Sequence, residues 1–446
     1  MFKKYNIGIM GAGNIAGVMA ATVKKMKGVK LYAVASRQQV KADVFANKYG
    51  CKKAYGSYED LVKDKKVDLI YIATPHSEHY ENAKLCILNG KPVLCEKAFT
   101  ANAKQAEELI ALAREKEVLL AEAIWTRYMP MMTTIQEVLG SGIIGELKTL
   151  TANLGYAVGQ VPRLYEPALA GGALLDLGVY PLNFAFMIFG NNYERIESSC
   201  SYTTTGVDEQ NSITIYYHDG KMAVLNSTMV ALSDRKGIIY GTKGFAIVEN
   251  INNFESITVF DNQYKQIASY KRPKQISGYE YEVEACIKAL AAKELECHQM
   301  PHSETLRVMK IMDELRKEWG IVYPFEEVQT EQPTEAPLMI EAPAKEEVIP
   351  AAEENVVTEE VASVAEENAV TEEVAPVAEE NAVTEKSPAT EGTPVQEEET
   401  EAPVTVEATA VTEEEQGKES AASEVGSAVE NVVVEDNVSA EEKTEV

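Results

Sequence analysis

The run from Asn6 to Gly11 (NIGIMG) has the unbroken apolar character of a strand buried on both faces. It passes directly into Gly11, Gly13 and Ala16, spaced G-x-G-x-x-A, at the head of an apolar helix pattern over Asn14 to Lys25. That junction constrains the chain more than any other feature. Gly11 permits a tight turn, Gly13 lets the backbone approach a pyrophosphate, and the small Ala16 allows the helix to pack close to a sheet. The free amides at the helix start, at Asn14 and Ile15, meet phosphate charge. The spacing alone is weak evidence; its place between strand and helix favours dinucleotide binding over a glycine turn with no ligand.

The alternation continues. Residues 30–35 (KLYAVA) return to strand, followed by helix 38–49, strand 67–73, helix 77–89, strand 92–95, helix 102–116 and strand 118–123. Strands alternating with helices imply a parallel sheet covered on both faces. After Glu146 the pattern changes to alternating runs at 212–217, 221–227, 245–248 and 256–260, with turns at Asp219-Gly220 and Lys243-Gly244, the mark of a mostly antiparallel open sheet. Leu174 to Phe189 reads as an apolar helix, and Tyr279 to Ala292 and Ser303 to Trp319 as amphipathic ones that cover this sheet. The fold class expected is α/β: a Rossmann dinucleotide-binding domain over 1–124, then an α/β substrate domain over 125–325.

Beyond Phe325 the composition breaks. Residues 326–446 hold 35 acidic residues against four lysines, a net charge of −31, and no aromatic residue, cysteine or histidine. Such a segment cannot bury enough apolar surface to offset its ordering entropy, so a disordered acidic tail is expected from 326 onward. A 13-residue repeat begins in it at Ala352, Ala365 and Ala378, which reads as a solvated spacer, with an unidentified partner as the alternative. The first 325 residues carry +3. The acidic balance argues against nucleic-acid binding. No apolar stretch reaches the roughly 18 residues of a membrane helix, and the start has no cleavage signal. Six cysteines without a paired framework fit reduced thiols, hence a cytoplasmic protein.

The second strand discriminates between nicotinamide cofactors. An acidic residue at its end would bond the ribose 2′-OH, but here it ends Ala35-Ser36-Arg37. A hydroxyl at Ser36 and a guanidinium at Arg37 suit the 2′-phosphate of NADP rather than NAD; the bland reading is an ordinary exposed arginine. Thr74 and Pro75 follow the fourth strand, where a topological switch loop would touch the nicotinamide end. His76 and His79 come next; with no third ligand at telling spacing, a loop or cofactor contact for His79 is preferred to a metal site.

Candidate chemistry sits at Cys95-Glu96-Lys97, the carboxyl end of a strand, and at Asp176 and Tyr180, four apart on a helix and so on one face. Trp125 and Arg127 (WTR), at the end of the last parallel strand, are expected to line a substrate pocket, though Trp125 suits a core equally.

The motifs GAGNIA, ASR, AYGSYEDL, CEKA, EAIWTR, GGALLDLGVYP and GTKG, taken together, resemble the glucose-fructose oxidoreductase and inositol dehydrogenase (Gfo/Idh/MocA) family from about residue 5 to 325. The resemblance implies Lys97 beside the nicotinamide with Glu96, Asp176 and Tyr180 completing the polar site, and Tyr279 near the substrate. It also implies a homodimer through the open sheet. The family's Glu-Lys-Pro has Ala98 as its third residue here, and Tyr180 stands where many members have histidine; tyrosine is what the branch acting on dihydrodiols carries. The expected activity is hydride exchange between NADP and a hydroxyl or carbonyl of a sugar or cyclic diol. A rival is reduction of another sugar-like ketone or aldehyde; a rival of another class is an NADP-binding regulator without chemistry. Tyr180 is the expected acid/base, with a cationic Lys97 favouring its phenolate, and exchanged roles remain open.

Overall fold

The computed structural model describes residues 4–158 and 161–326. Six parallel strands, β1 (Tyr5–Met10), β2 (Val29–Ala35), β3 (Lys53–Tyr55), β4 (Leu69–Ile72), β5 (Val93–Glu96) and β6 (Leu120–Ala123), form one sheet in the order 3-2-1-4-5-6. Helices α1 (Asn14–Val23), α2 (Gln39–Tyr49), α3 (Tyr58–Lys63), α4 (His76–Leu88) and α5 (Ala103–Glu115) connect them. Ile7, Ile9, Ile70, Ile72, Val93 and Leu94 are all fully buried, as strands covered on both faces require. The strand order reverses between β1 and β4, which opens a crevice at the carboxyl edge of the sheet.

A 3₁₀ turn (Trp125–Tyr128) and helix α6 (Pro130–Gly140) lead to an eight-stranded sheet. Its strands are β7 (Leu147–Gly155), β8 (Tyr193–Tyr202), β9 (Asp208–Tyr217), β10 (Met222–Thr228), β11 (Gly237–Gly241), β12 (Gly244–Glu249), β13 (Ser256–Asp261) and β14 (Gln266–Lys271), in the order 14-13-12-11-7-10-9-8. Only β7 and β10 pair in parallel. A short helix α7 (Pro162–Tyr165) and α8 (Val179–Phe189) intervene before β8, and α9 (Glu280–Ala292) and α10 (His302–Glu318) close the body.

The structure corrects several expectations. The apolar helix from Leu174 is not uniform: Leu174–Gly178 is a π-helical turn that passes into α8. Of the three helices expected on the second sheet, α8 lies against β7 and β10, whereas α9 packs on the 3₁₀ turn and α10 on α5 and α8. The stretch Pro167–Phe189 is in fact long and apolar enough to cross a membrane, but it is buried inside the body. The acidic segment lies outside the described residues except for Glu326. That residue belongs to the body: its carboxylate accepts from both Arg316 Nη atoms (2.9 and 3.0 Å) and from Asn102 Nδ2 (2.8 Å).

Candidate active site

Gly11 adopts φ +106°, and a Cβ there would stand 2.4 Å from the Ala73 carbonyl oxygen, so the turn admits only glycine. Gly13 differs. Its φ is −87° and a Cβ would meet nothing within 4 Å, so the fold leaves open the space in front of it. Gly13 is also the N-cap of α1 and offers no side-chain acceptor to the first amides, and no acidic residue stands in the first turn. By contrast α3 and α5 are capped by Ser57 and Asn102. An open cradle and first-turn amides without a side-chain cap fit a dinucleotide pyrophosphate. Ala16 is fully buried beneath, and Tyr49 packs tightly against Gly17 of the same helix.

Ser36 and Arg37 follow β2. Ser36 is buried, with its Oγ accepting from Gln38 N (3.4 Å), and Arg37 is exposed. A groove of about 320 Å³ beside the glycine turn is lined by Ala12, Gly13 and Asn14 together with Lys41 and Lys48 of α2.

A larger cleft of about 670 Å³ runs from the glycine turn across the carboxyl edge of the parallel sheet. Gly13, Asn14, Ile15, Thr74, Pro75, Glu96, Lys97, Asp176, Tyr180 and Tyr279 all line it, which brings most of the sequence candidates to one place. Lys97 Nζ donates to the Asp176 carbonyl oxygen (2.7 Å), lies 3.5 Å from Asp176 Oδ1 and sits 5.1 Å from the centre of the Tyr180 ring. The peptide between Lys97 and Ala98 is cis. The π turn carries Asp176 and α8 carries Tyr180, so both reach the same ammonium group. Asp208 supports that turn by accepting from Leu174 N (2.7 Å).

Asp176 Oδ1 gathers three basic groups: Arg163 Nη1 at 3.0 Å, Lys97 Nζ at 3.5 Å and His76 Nε2 at 3.8 Å. Although Asp176 is buried, Lys97, Arg163 and His76 hold its carboxyl well below the usual range. Burial pushes His76 down to about 3, so its ring is neutral near pH 7 and its approach to Asp176 is not an ion pair. Glu96 is buried, accepts from Tyr71 Oη and from Lys97 N (3.2 Å), and is raised by burial.

Tyr180 departs from expectation. Burial, with Tyr279, Glu96 and Asp176 nearby, pushes its phenol well above the ordinary value. No hydrogen bond joins it to Lys97, whose ammonium faces the ring and bonds Asp176 instead. In this state the phenol holds its proton, the opposite of the phenolate predicted.

Three other candidates lie outside the cleft lining, His79 and Trp125 in the loop and core roles that the sequence left open. Arg127 points away from the cleft: it is buried, with Nε on Asn183 Oδ1 (2.6 Å) and Nη2 on Glu304 Oε2 (3.1 Å). His79 is buried between the carbonyls of Ala98 (2.8 Å) and Thr74 (2.9 Å), so it staples the two loops together rather than reaching the cleft. Trp125 stands behind the wall, stacked on Tyr279 at 4.1 Å between centroids and donating to Asn252 Oδ1 (3.3 Å). Conversely, His76, Tyr156, Arg163 and Asn252 line the cleft and were not assigned to it from sequence. Only His76 carried a signal, as the residue after Pro75 in the switch loop.

A nucleotide-binding sheet with proton-carrying side chains at its carboxyl edge defines an enzyme of the dehydrogenase class. Residues 5–123 match the oxidoreductase family with an NAD-binding Rossmann fold, and residues 132–247 the GFO/IDH/MocA C-terminal domain. The chain is 36% identical over 325 residues to a trans-1,2-dihydrobenzene-1,2-diol dehydrogenase of Xenopus tropicalis, spanning 71% of this chain and 98% of the relative. The Homo sapiens protein of that name is 33% identical over 325 residues, spanning 71% and 97%. A 3-ketoreductase from Actinomadura kijaniata in complex with NADP and TDP-benzene shares the fold, with a TM-score of 0.65 at 23% identity, covering 71% of this chain and 98% of that one. So does an aldose-aldose oxidoreductase from Caulobacter crescentus, with a TM-score of 0.65 at 18% identity over 71% and 98%. The chain belongs to the Gfo/Idh/MocA family of oxidoreductases.

Proposed function

We propose that this enzyme exchanges a hydride between NADP and a hydroxyl-bearing or carbonyl carbon of a sugar or cyclic diol. The observation that carries this reading is the convergence of Lys97, Asp176 and Tyr180 on one cleft beside the open cradle at Gly13. The diol dehydrogenases among its relatives support the substrate class, and the solved 3-ketoreductase complex supports the cofactor. Residues 1–124 are assigned to the cofactor and 125–325 to the substrate.

Gly13, Asn14 and Ile15 would hold the pyrophosphate, Ser36 and Arg37 the 2′-phosphate, and Thr74, Pro75, Glu96 and Lys97 would border the nicotinamide. When bound, that ring supplies or accepts the hydride. The protein's part is the proton. In reduction the protonated Tyr180 donates to the forming alkoxide, and Lys97 stabilises the negative charge as it develops. In oxidation the same residue must first release its own proton, and the phenolate so formed takes the proton of the substrate hydroxyl. Asp176, held ionised, fixes Lys97 and accepts a substrate hydroxyl.

The outer face of the second sheet supports a homodimer: Val224, Ile238, Tyr240, Phe245, Ile247 and Phe260 share one side of β10 to β13 and are not buried. Six free cysteines support a cytoplasmic location. The acidic repeat segment is assigned a solubility role; removing residues 327–446 leaves turnover intact under this reading, whereas an adaptor would lose its partner.

The test is nicotinamide absorbance on purified protein, with NADP and NAD in parallel, against aldoses, inositols and cyclic diols, and in reverse against dicarbonyls and ketoses. Turnover with an NADP preference that Arg37→Ala erases supports the reading. Tight NADP binding with no turnover on any substrate moves the assignment to a regulator, and an NAD preference overturns the role of Arg37.

A further inference from the structure

The cofactor would cover the end of the cleft formed by the glycine turn and residues 73–76. The remaining end is walled by the phenols Tyr156 and Tyr279 and the aliphatic side chains Val158, Val161 and Leu164, and one guanidinium enters it, that of Arg163.

Among the groups gathered around Asp176, exposure separates Arg163 from the rest. Its side chain is 42% exposed, against 13% for Lys97, 11% for Asp176 and 5% for His76. The two carboxylates lining the cleft are already engaged, Glu96 by Tyr71 and Lys97 N, and Asp176 by its basic neighbours. Arg163 has spent one of its N–H groups, on Asp176 Oδ1 at 3.0 Å. Among the described residues the rest of its planar fork has no hydrogen-bond or ion-pair partner, and the side chain lines the cleft, a geometry matched to a two-oxygen anion.

The guanidinium is also carried on a fixed turn. Gly172 N donates to Leu164 O (2.9 Å), and a Cβ at Gly171 would lie 2.6 Å from Leu164 O and 2.9 Å from Arg163 O. Gly171 therefore lets the α7 turn settle directly on the chain that leads into the π turn. The arginine and the carboxylate it touches are thus held by one packed unit, and the charge is placed before any substrate arrives.

We propose that Arg163 reads an anionic group on the substrate, so that the preferred substrates are hydroxy or carbonyl compounds bearing a carboxylate or phosphate rather than neutral sugars. This rests on the reading of the cleft as the site of hydride exchange. The anion takes the free N–H groups of Arg163, and the reacting carbon is thereby set between Lys97, Tyr180 and the nicotinamide end.

The experiment uses the full chain loaded with NADP and three matched substrates: a neutral aldose, its uronic acid and its terminal phosphate ester. Turnover is followed by nicotinamide absorbance, and binding is measured separately by calorimetry, for wild type, Arg163→Gln and Arg163→Lys. Wild type should bind and turn over at least one anionic compound about tenfold or more better than the neutral one. Arg163→Gln should collapse that ratio through KM, and Arg163→Lys should restore part of it as a point charge without the fork. Whichever of the uronic acid and the phosphate ester shows the larger Arg163-dependent gain identifies the anion. Equal handling of all three by wild type, or a preference that survives Arg163→Gln, overturns the proposal and leaves Arg163 as a support for Asp176. Binding discrimination without turnover would uphold the proposal and overturn the hydride reading, so the two failures are distinct.

Discussion

Lys97 Nζ donates to the backbone carbonyl of Asp176 at 2.7 Å while its charge lies over the face of the Tyr180 ring, 5.1 Å from the centroid. The lysine is therefore fixed by the π turn rather than by the phenol. Tyr180, raised by burial, keeps the proton. Under the proposed function the two residues divide the work, charge to Lys97 and proton to Tyr180.

Removing either should therefore cost catalysis and not folding. Tyr180→Phe and Lys97→Met are each expected to lower kcat by about 10²–10⁴-fold with unchanged circular dichroism. If Tyr180→Phe retains near-normal turnover while Lys97→Met loses it, the roles are reversed and the ammonium is the acid.

The two glycines of the turn should respond in opposite ways to one added methyl group. Gly11→Ala forces a left-handed φ and a Cβ 2.4 Å from the Ala73 carbonyl, so a loss of about 3 kcal/mol or more in stability is expected. Gly13→Ala meets no protein atom within 4 Å and should stay within about 1 kcal/mol of wild type, but its methyl occupies the cradle. Its KM for NADP should rise at least about tenfold. Denaturant titration and cofactor titration together separate the two; a Gly13→Ala protein that binds NADP normally would remove the cradle from the site.

What was legible in the sequence was local. The turn at Gly11 and Gly13, the strand end at Glu96 and Lys97, and the four-residue spacing of Asp176 and Tyr180 all declare themselves within a few residues, and Gly13, Glu96, Lys97, Asp176 and Tyr180 line the cleft. What failed depended on remote partners. Arg127 is turned from the cleft by Asn183 and Glu304, far along the chain. Arg163 lies in a stretch without periodicity, where nothing local predicts its direction. Strand β7 was missed although it sits mid-sheet, because its pairing with β10 joins residues about seventy positions apart. The π turn was read as plain helix, since a widened turn leaves no mark in apolar spacing.

The correction at Arg127 is itself testable. Arg127→Met breaks a buried ion pair and leaves Glu304 with Arg307 alone, so a loss of about 2–4 kcal/mol in denaturant stability is expected. Because the guanidinium does not face the cleft, kcat/KM at a temperature where the variant is folded should match wild type. A large rise in substrate KM would return Arg127 to the pocket.

Beneath the site, Glu122 of β6 has an Oε2 atom with no hydrogen-bond partner among the described residues, and burial pushes its carboxyl up from 4.5 to about 7. The sign of the effect follows from proton counting. Between pH 4.5 and 7 the folded chain keeps a proton that the unfolded chain has released, so folding stability falls as pH rises through that window. His79 acts in the opposite sense: its folded value is lowered to about 4 from 6.5, so its contribution is lost as pH falls through that range. Replacing Glu122 by Gln keeps the shape and removes the ionisation. Chemical denaturation at pH 5 and pH 8 should show the variant gaining on wild type by up to about 3 kcal/mol at the higher pH, with little difference at the lower. A constant offset between the two proteins across the range would mean that Glu122 ionises as readily in the folded chain as in the unfolded one.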